Sequence, residues 1–347
     1  MTQASRIKAV YAKSQSAAGS PATITQSDLA IRVRTCTFTQ AGEGLLKRTD
    51  TVNPSGLPAP PVMGSKYWEV AITADVQPFT DYTAVTSCPL SPLLRACADV
   101  TAVTYAAVDA IAIDFTESIN ADVLPCTIEL HEIDGNRYRA VDCKGSVAQV
   151  FDAAGRLISW EFAIKGIWTN VTASAFTAAA TDYGAASVDT LPLTFCGASL
   201  ISGIRRSDDS TEATIAGIES FKVTPNIIVT EKPDATALAN SCYAPAFLSR
   251  GVDGDTIEFT CDAGPEDDNA DGVRAWASWL AQARGRDLTL TLNQGSGGHR
   301  IDVVMDEVHY NVPAVNESKD FRQYDLTAYN AQGATPAPVA IYMLAGS

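Results

Sequence analysis

An acidic run in the second half of the chain is the closest match to a metal-binding motif. From Asp267 to Gly272, oxygen donors stand at alternate positions before a glycine, as in the first half of a calcium-binding loop. The twelfth position of such a loop supplies a bidentate glutamate, but here it is Ser278, so the cage would stay open. Carboxylates also favour the positive end of a helix dipole. We therefore interpret the run as the start of a helix over 271–283 rather than as a metal site.

Two of the three histidines, His299 and His309, lie close in sequence to Asp302, Asp306 and Glu307. Imidazole and carboxylate groups in this combination could bind zinc or perform acid–base chemistry, which would make the chain a metal-dependent enzyme. The solvent-exposed face of a polar hairpin gives the same composition, and we favour this second interpretation.

The sequence lacks the short motifs that usually carry catalysis: a nucleophile elbow, a paired-cysteine site or a phosphate-binding loop. The glycine-rich run from Gly295 to Gly298 lies between two predicted strands and not before a helix, so it indicates a hairpin turn. Trp276 and Trp279 have helical spacing and are predicted to face the core, with a sugar-binding patch as the alternative. We therefore predict no enzymatic activity, no cofactor and no bound metal.

Composition narrows the classes of function. The 347 residues are 46% hydrophobic, enough for a packed core, and 40 acidic against 25 basic residues give a formal net charge of -15. Such a surface repels nucleic-acid phosphates, although it suits a conduit through which DNA slides without adhering. No apolar stretch reaches about 18 residues, and residues 1–13 lack the apolar segment of a signal peptide, so we predict neither a membrane helix nor export. Eight cysteines without a CxxC pair favour buried thiols in a reducing cytoplasm, with disulfides as the alternative.

One order of predicted elements occurs twice: strand, long loop, strand, helix, hairpin, hairpin. In the first half these segments are 31–39, 40–66, 67–76, 90–98, 126–141 and 144–168, and in the second half 218–230, 231–254, 255–262, 271–283, 287–305 and 307–329. We predict a mainly β fold of two tandem β-sandwich or half-barrel units, each with one short flanking α-helix. The predicted boundaries are an N-terminal arm over 1–30, a first unit over 31–169, an Ala/Thr-rich linker over 170–189, a second unit over 190–332 and a C-terminal tail over 333–347.

Several details connect the two units. The strand over 67–75 alternates polar and apolar residues, which predicts one buried and one wet face, and Glu258 takes the place of Glu69 in the second unit. The dipeptide Asp134–Gly135 predicts a two-residue hairpin turn, and we interpret the hairpin over 288–305 as its counterpart. The two long loops join strong strands, so we interpret them as extensions used for contact.

Three groups of segments, in this order along the chain, carry a resemblance to a known family. They are Val10-Tyr-Ala-Lys13 with Gly19 and Pro21, similar to an N-terminal arm; Ser91-Pro-Leu-Leu-Arg-Ala-Cys97, similar to a short helix; and 143–151, 155–162 and 166–168, similar to a closing hairpin. Together they resemble the major tail tube protein of long-tailed, siphovirus-type bacteriophages, in the branch of that family with two copies of the unit per chain.

This resemblance implies a structural virion protein whose subunits form rings that stack into a hollow tail tube, the conduit for DNA ejection. Closure into a shared barrel would also remove the exposed edges of each open sheet. Two units per chain imply rings of three chains with pseudo-sixfold symmetry, with a hexamer as the alternative. The resemblance further implies assembly in the host bacterial cytoplasm, contacts with tape-measure, tail terminator and distal tail proteins, and DNA that passes without specific binding. It implies no membrane partner.

We expect acidic residues on the strands to face the channel, and the candidates are Glu69, Asp75, Glu258 and Asp262. Candidates for contact between rings lie in the long loops: Gly42, Glu43, Leu46, Arg48, Lys232, Asp234 and Arg250. The alternative function is a virion-associated β-sandwich binding module for a receptor or a carbohydrate. Exposure of Trp68, Trp168 or Trp276 on one surface would favour that alternative.

Overall fold

The computed structural model of the chain consists mostly of antiparallel β-structure. It describes residues 7–25, 28, 30–42, 45–46, 62–63, 66–116, 118–132, 135–152, 157–173, 202–205, 212–214, 218–233, 243–262, 288–293, 299–305, 308–312, 314–316, 323–330 and 338–345. The helices in this part of the chain are two and short, so the fold is mainly β, as predicted.

All strand pairings are antiparallel, and the elements are numbered along the chain. The strands are β1 (Ile7–Ser14), β2 (Thr35–Ala41), β3 (Leu45–Leu46), β4 (Val62–Met63), β5 (Tyr67–Asp75), β6 (Asp99–Tyr105), β7 (Val108–Asp114), β8 (Cys126–Glu132), β9 (Asn136–Asp152), β10 (Leu157–Trp168), β11 (Thr172–Ala173), β12 (Ser202–Arg205), β13 (Glu212–Thr214), β14 (Ser220–Thr224), β15 (Ile227–Pro233), β16 (Tyr243–Arg250), β17 (Thr256–Asp262), β18 (Leu288–Asn293), β19 (His299–Met305), β20 (Val308–Tyr310), β21 (Ala314–Asn316), β22 (Gln323–Asn330) and β23 (Ala340–Ala345). The helices are α1 (Ser91–Arg95) and α2 (Ile119–Asp122).

The larger sheet contains one four-strand order twice. Its first half runs β2–β5–β10–β9 and its second half runs β14–β17–β22–β20. In each half, the segment between the first two strands of this order forms a two-stranded ribbon, β3–β4 in the first half and β15–β16 in the second. The two sets join edge to edge because β9 pairs with β14. The repetition predicted from the sequence is therefore present in this sheet as a repeated topology.

The two sets also share their register. In each half, three residues on neighbouring strands lie opposite one another at the same place in the unit. They are Thr39, Glu69 and Lys165 in the first half, and Lys222, Glu258 and Thr327 in the second. When Glu258 is taken as the equivalent of Glu69, the first residues of β5 and β17 coincide, and so do the last residues of β2 and β14. The same alignment makes Phe221 the equivalent of Phe38.

The seven-stranded sheet combines hairpins from both halves in the order β13–β12–β18–β19–β23–β7–β6. The β6–β7 hairpin was not predicted, and it is the counterpart of β18–β19, because both hairpins flank β23. The interpretation that matched 288–305 to the Asp134–Gly135 hairpin is therefore wrong, since β8 and β9 belong to the larger sheet. The missed turn is formed by Ala106 and Ala107, both with positive φ. Such turns usually contain Asn or Gly, so two alanines give no turn signal in the sequence.

The hydrophobic core lies between the two sheets. Alternation along β5 follows the prediction, with Trp68, Val70, Ile72 and Ala74 buried against the other sheet. The predicted tail over 333–347 contains β23, a central strand of the smaller sheet whose Ile341 and Met343 are buried. Part of the predicted arm likewise belongs to the larger sheet, because β1 pairs with β8.

The predicted helix over 90–98 is confirmed as α1, which has a proline in its first turn, where the missing N–H costs nothing. Leu93 and Leu94 of this helix are buried in the core. The short helix α2 was not predicted. The helix over 271–283 and most of the linker over 170–189 lie outside the described residues. Neither described helix has the length or hydropathy needed to cross a bilayer.

Candidate assembly surface

The outer face of the larger sheet contains the residues predicted to line a channel. Glu69 and Glu258 occupy equivalent positions, and both are exposed on this face. Asp75 lies on the same face, but it is half-buried and forms an ion pair with Arg34 at 2.5 Å. Asp262 ends β17, and its side chain lies outside the described part of the structure. Two of the four predicted acids are thus exposed on the same face of the larger sheet.

Basic residues also lie on this face, and the sequence analysis missed them. Lys222 is 3.5 Å from Glu161 and lies opposite Glu258 in the register of β14 and β17. Lys165 lies opposite Glu69 and donates a hydrogen bond to Glu231. The face is therefore mixed in charge rather than uniformly acidic. The two-residue periodicity of β14, which places Lys222 on its wet face, would have revealed the first of these bases.

The two ends of the larger sheet have unpaired edges. Within the described residues, β2 pairs with β5 alone, and β20 and β21 pair with β22 alone. An edge strand presents backbone N–H and C=O groups that can pair with another chain. Phe38 on β2 is only half-buried, and its ring contacts Trp68 with centroids 5.6 Å apart.

The joint between the halves shows how a strand equivalent to β2 is covered. Phe221 of β14 lies directly opposite Phe151 of β9 in the strand register. Their rings stack with centroids 5.2 Å apart and an interplanar angle of 21°. Phe221 is 2% exposed, whereas its equivalent Phe38 at the free edge is half-buried. The first strand of the repeat is therefore buried where β14 meets β9, and it is more exposed at β2, which pairs on one side only in the described part of the chain.

The β15–β16 ribbon of the second half leans back over the first half. Leu248 packs against Ile119 and Val123 of the α2 region, and its backbone N–H donates to Asn120 Oδ1 at 3.1 Å. At the outer face, the hydrogen bond from Lys165 holds the pKa of Glu231 below its usual range. The ribbon thus covers one end of the outer face formed by β9 and β10.

A buried carboxylate fixes the base of this ribbon. Asp255 is fully buried and accepts hydrogen bonds from the backbone N–H groups of Asn226 and Val339, each at 2.8 Å. Arg250 forms an ion pair with the same carboxylate at 2.6 Å. The side-chain oxygen of Asn330 accepts the Asp255 N–H at 2.7 Å. One residue therefore connects both ends of the ribbon to β22 and to the segment that leads into β23.

The structure describes four of the seven loop residues that were predicted to contact a neighbouring ring. Arg250 is bound to Asp255 at the base of the ribbon, so it does not reach outward as predicted, because a buried carboxylate holds its charge. Lys232 is exposed on β15, and Gly42 has φ of 109° where the chain leaves β2. Leu46 lies in β3. The remaining three candidates lie outside the described residues: Glu43, Arg48 and Asp234.

The histidines considered for a metal site lie in different sheets. His299 belongs to β19 of the smaller sheet, and its Nδ1 is 2.6 Å from the hydroxyl oxygen of Tyr82. His309 belongs to β20 of the larger sheet, and its ring stacks on Tyr329. Asp302, three residues after His299 on β19, is buried and paired with Arg300. The described residues contain no group of three or more metal-ligating side chains, while the acidic run at 267–272 and the acids at 306 and 307 lie outside them.

The tryptophans considered for ligand binding pack within the protein. Trp68 is 4% exposed and stacks on the half-buried Trp168, with ring centroids 6.4 Å apart. The Lys66 ammonium lies 4.3 Å from the centre of the Trp168 ring. Trp276 and Trp279 lie outside the described residues. The described tryptophans therefore do not form the exposed aromatic surface that would favour a binding module.

The six cysteines in the described part of the chain are free and buried. They are Cys36, Cys88, Cys97, Cys126, Cys143 and Cys261. Burial raises the pKa of the Cys36 and Cys88 thiols to about 12, so these groups stay protonated and unreactive. This agrees with their interpretation as small hydrophobic residues.

Neither a known protein-family model nor a curated protein matches this chain. A functional assignment must therefore start from the repeated topology, the free edges and the outer face.

Proposed function

We propose that this chain is a structural subunit that associates with copies of itself into rings, and that the rings stack into a hollow tube. The observation that carries the proposal is the joint between β9 and β14. It joins the last strand of one repeat to the first strand of the next, and the same two kinds of edge are unpaired at the ends of this strand order among the described residues. Repetition of this joint between chains would pair both edges and bury Phe38.

Such an assembly fits the tail tube of a long-tailed bacteriophage. Three chains would contribute six copies of the four-strand unit, giving a trimeric ring with pseudo-sixfold symmetry, and a hexamer of chains is the alternative. Closure of this kind would pair the β2 edge of one chain with the β20 edge of the next. Its partners would be further copies of the chain together with tape-measure, tail terminator and distal tail proteins, and its location would be the virion tail.

The outer face supports passage of DNA rather than capture. The chain has a formal net charge of -15, and the bases on this face, Lys165 and Lys222, lie beside acids. Capture of nucleic acid requires several uncompensated cations that displace counterions from the phosphates. Paired bases on an acidic protein therefore suit a surface along which DNA moves without adhering.

Electron microscopy of the purified protein tests the proposal. We expect stacked rings or tubes in negative stain at high protein concentration, and sedimentation velocity should show species heavier than the monomer. Arg34→Ala provides a control, because it removes an exposed charge beside Asp75 without changing the edge strands. A wild-type protein that remains monomeric at every concentration, including after addition of preformed tail tips, would refute the proposed function.

A further inference from the structure

The two halves differ in what covers their outer faces. In the first half, the end of the face formed by β9 and β10 lies beneath the β15–β16 ribbon, whose Glu231 bonds to Lys165. In the second half, the equivalent region around β22 is an open cleft with a volume of about 560 Å³. Its lining includes Lys222, Glu258 and Thr327.

The cleft occupies the position that the shared register assigns to a ribbon. Thr327 lies opposite Glu258 as Lys165 lies opposite Glu69, so Thr327 is the equivalent of the residue that Glu231 covers. Val312, at the rim of the cleft, is 54% exposed. The counterpart of this region in the first half is covered by β15–β16, and this coverage points to a surface that is completed by another segment.

The first half also carries a ribbon at the corresponding place in its topology. The β3–β4 pair lies between β2 and β5, as β15–β16 lies between β14 and β17. Within the described residues, β3 and β4 pair with each other and with no further strand. In both halves, a ribbon follows the first strand of the repeat. The ribbon of the second half, β15–β16, covers part of the first half.

We propose that the cleft on the second half receives the β3–β4 ribbon of a second copy of this chain. The contact reproduces between chains the packing that β15–β16 makes within one chain. It is a lateral contact between neighbours in one ring, not a contact between stacked rings, and it rests on the self-association in the proposed function. Each chain would then complete the outer face of its neighbour.

Photo-cross-linking of the assembled full-length protein tests this contact. p-Benzoylphenylalanine is placed at Thr327, and the matched control carries it at Lys165, the equivalent position in the first half. Mixing isotope-labelled and unlabelled copies before irradiation lets mass spectrometry separate cross-links between chains from those within one chain. We expect Thr327 to cross-link between chains to peptides from residues 42–66, and Lys165 to cross-link within the chain to residues 227–250. Cross-links from Thr327 to any other segment of an assembled ring, or none, would overturn the proposal.

A steric variant provides a second readout. Thr327→Trp fills the cleft and should weaken self-association by about tenfold or more, because overpacking a filled site costs about 1–3 kcal/mol. Ala71→Trp is the control, since Ala71 is exposed on the same face of β5 and does not line the cleft. Equal association of the two variants would contradict a filled cleft. Sedimentation velocity separates this proposal from the proposed function. Rings that form without the cross-link to residues 42–66 would refute the lateral contact alone. A protein that always stays monomeric would refute both the lateral contact and the self-association.

Discussion

The two halves of this chain share a strand order but differ at the places where a neighbouring unit would stand. The first strand of the second half, β14, is paired with β9, and its Phe221 is stacked on Phe151. The first strand of the first half, β2, is an edge, and its Phe38 is half-buried. The difference teaches that one joint of the repeat is made within the polypeptide, whereas the corresponding edge at β2 is unpaired in the part of the chain that the structure describes. Under the proposed function, another copy of the chain pairs this edge.

A second contrast lies at the start of the second strand in each half. The residue before β17 is Asp255, which is fully buried and bonded to three segments. The residue before β5 is Lys66, which lies over the Trp168 ring. The same backbone position therefore holds a polar anchor in one half and a cation–π contact in the other.

Truncation of the paired phenylalanines should give the largest difference. Phe221→Ala removes a ring buried in the joint, so we expect a loss of about 3–5 kcal/mol in the free energy of unfolding. Phe38→Ala should lower the free energy of unfolding of the monomer by about 1–2 kcal/mol, because less apolar area is lost at the edge. When the two variants are compared at equal folded fraction, Phe38→Ala should weaken self-association more than Phe221→Ala. Urea denaturation and sedimentation velocity measure the two quantities. Equal costs to monomer stability would break the comparison between joint and edge.

Loss of the buried carboxylate should have the next largest effect. Asp255→Ala leaves Arg250 and two backbone N–H groups without their acceptor, and we expect a loss of about 2–4 kcal/mol. The matched variant Lys66→Ala removes one cation–π contact and should cost about 1 kcal/mol. Thermal denaturation of both proteins checks the ranking. A Lys66 variant as unstable as the Asp255 variant would show that the two positions have the same role.

The β6–β7 and β18–β19 hairpins differ in the residues paired at the end away from the turn. We therefore predict that these two ends contribute differently to the pH dependence of stability. Asp99 pairs with Asp114 in the first, and Leu288 pairs with Met305 in the second. Burial, followed by repulsion from Asp99, raises the pKa of Asp114 to about 6. Between the ordinary value of 3.8 and about 6, the folded chain binds more protons at this group than the unfolded chain, so its contribution to stability falls as pH rises through that window.

Asp114→Asn should flatten this part of the pH profile and raise the thermal midpoint at neutral pH. The measurement is the midpoint of thermal unfolding as a function of pH for the variant and the wild type. Thr101→Ala provides a control, because Thr101 is an exposed residue of the same hairpin that does not titrate. Parallel profiles for wild type and the Asp114 variant would remove this residue as the source of the dependence.

The smallest effect on folding is expected on the outer face. Glu69→Lys places a lysine opposite Lys165 and should cost less than about 1 kcal/mol. Under the proposed function, rings still form, and virions that carry this change should release DNA more slowly because the phosphates adhere. The rate of DNA release from such virions is the test. An unchanged rate would place Glu69 away from the channel.

The sequence predicted some elements well and others not at all. Alternation along 67–75 and the proline at the start of α1 are local signals, and both elements were predicted correctly. The β6–β7 hairpin was missed because Ala106 and Ala107 form its turn without Asn or Gly. The position of β23 at the centre of a sheet was also missed, since a strand's neighbours depend on contacts far away in the chain.

The candidate surface shows the same division. The sequence identified Glu69 and Glu258 as equivalent positions, because their strands carry the same alternation. It assigned Arg250 to an outward loop, since nothing local reveals that a carboxylate five residues later is buried beside it. Sequence likewise gave no reason to separate His299 from His309, which are ten residues apart but lie in different sheets.

By itself, the sequence determined the β character of this protein, the repeated pair of strands joined by a long segment, and the faces of individual strands, because hydrophobic periodicity acts over a few residues. Only the tertiary structure decided which strands meet, which repeat edge is joined within the chain, and which ribbon covers which unit. Those choices depend on the burial of apolar area and on backbone pairing between segments that are far apart in sequence. Local patterns carry no information about which distant segments pair.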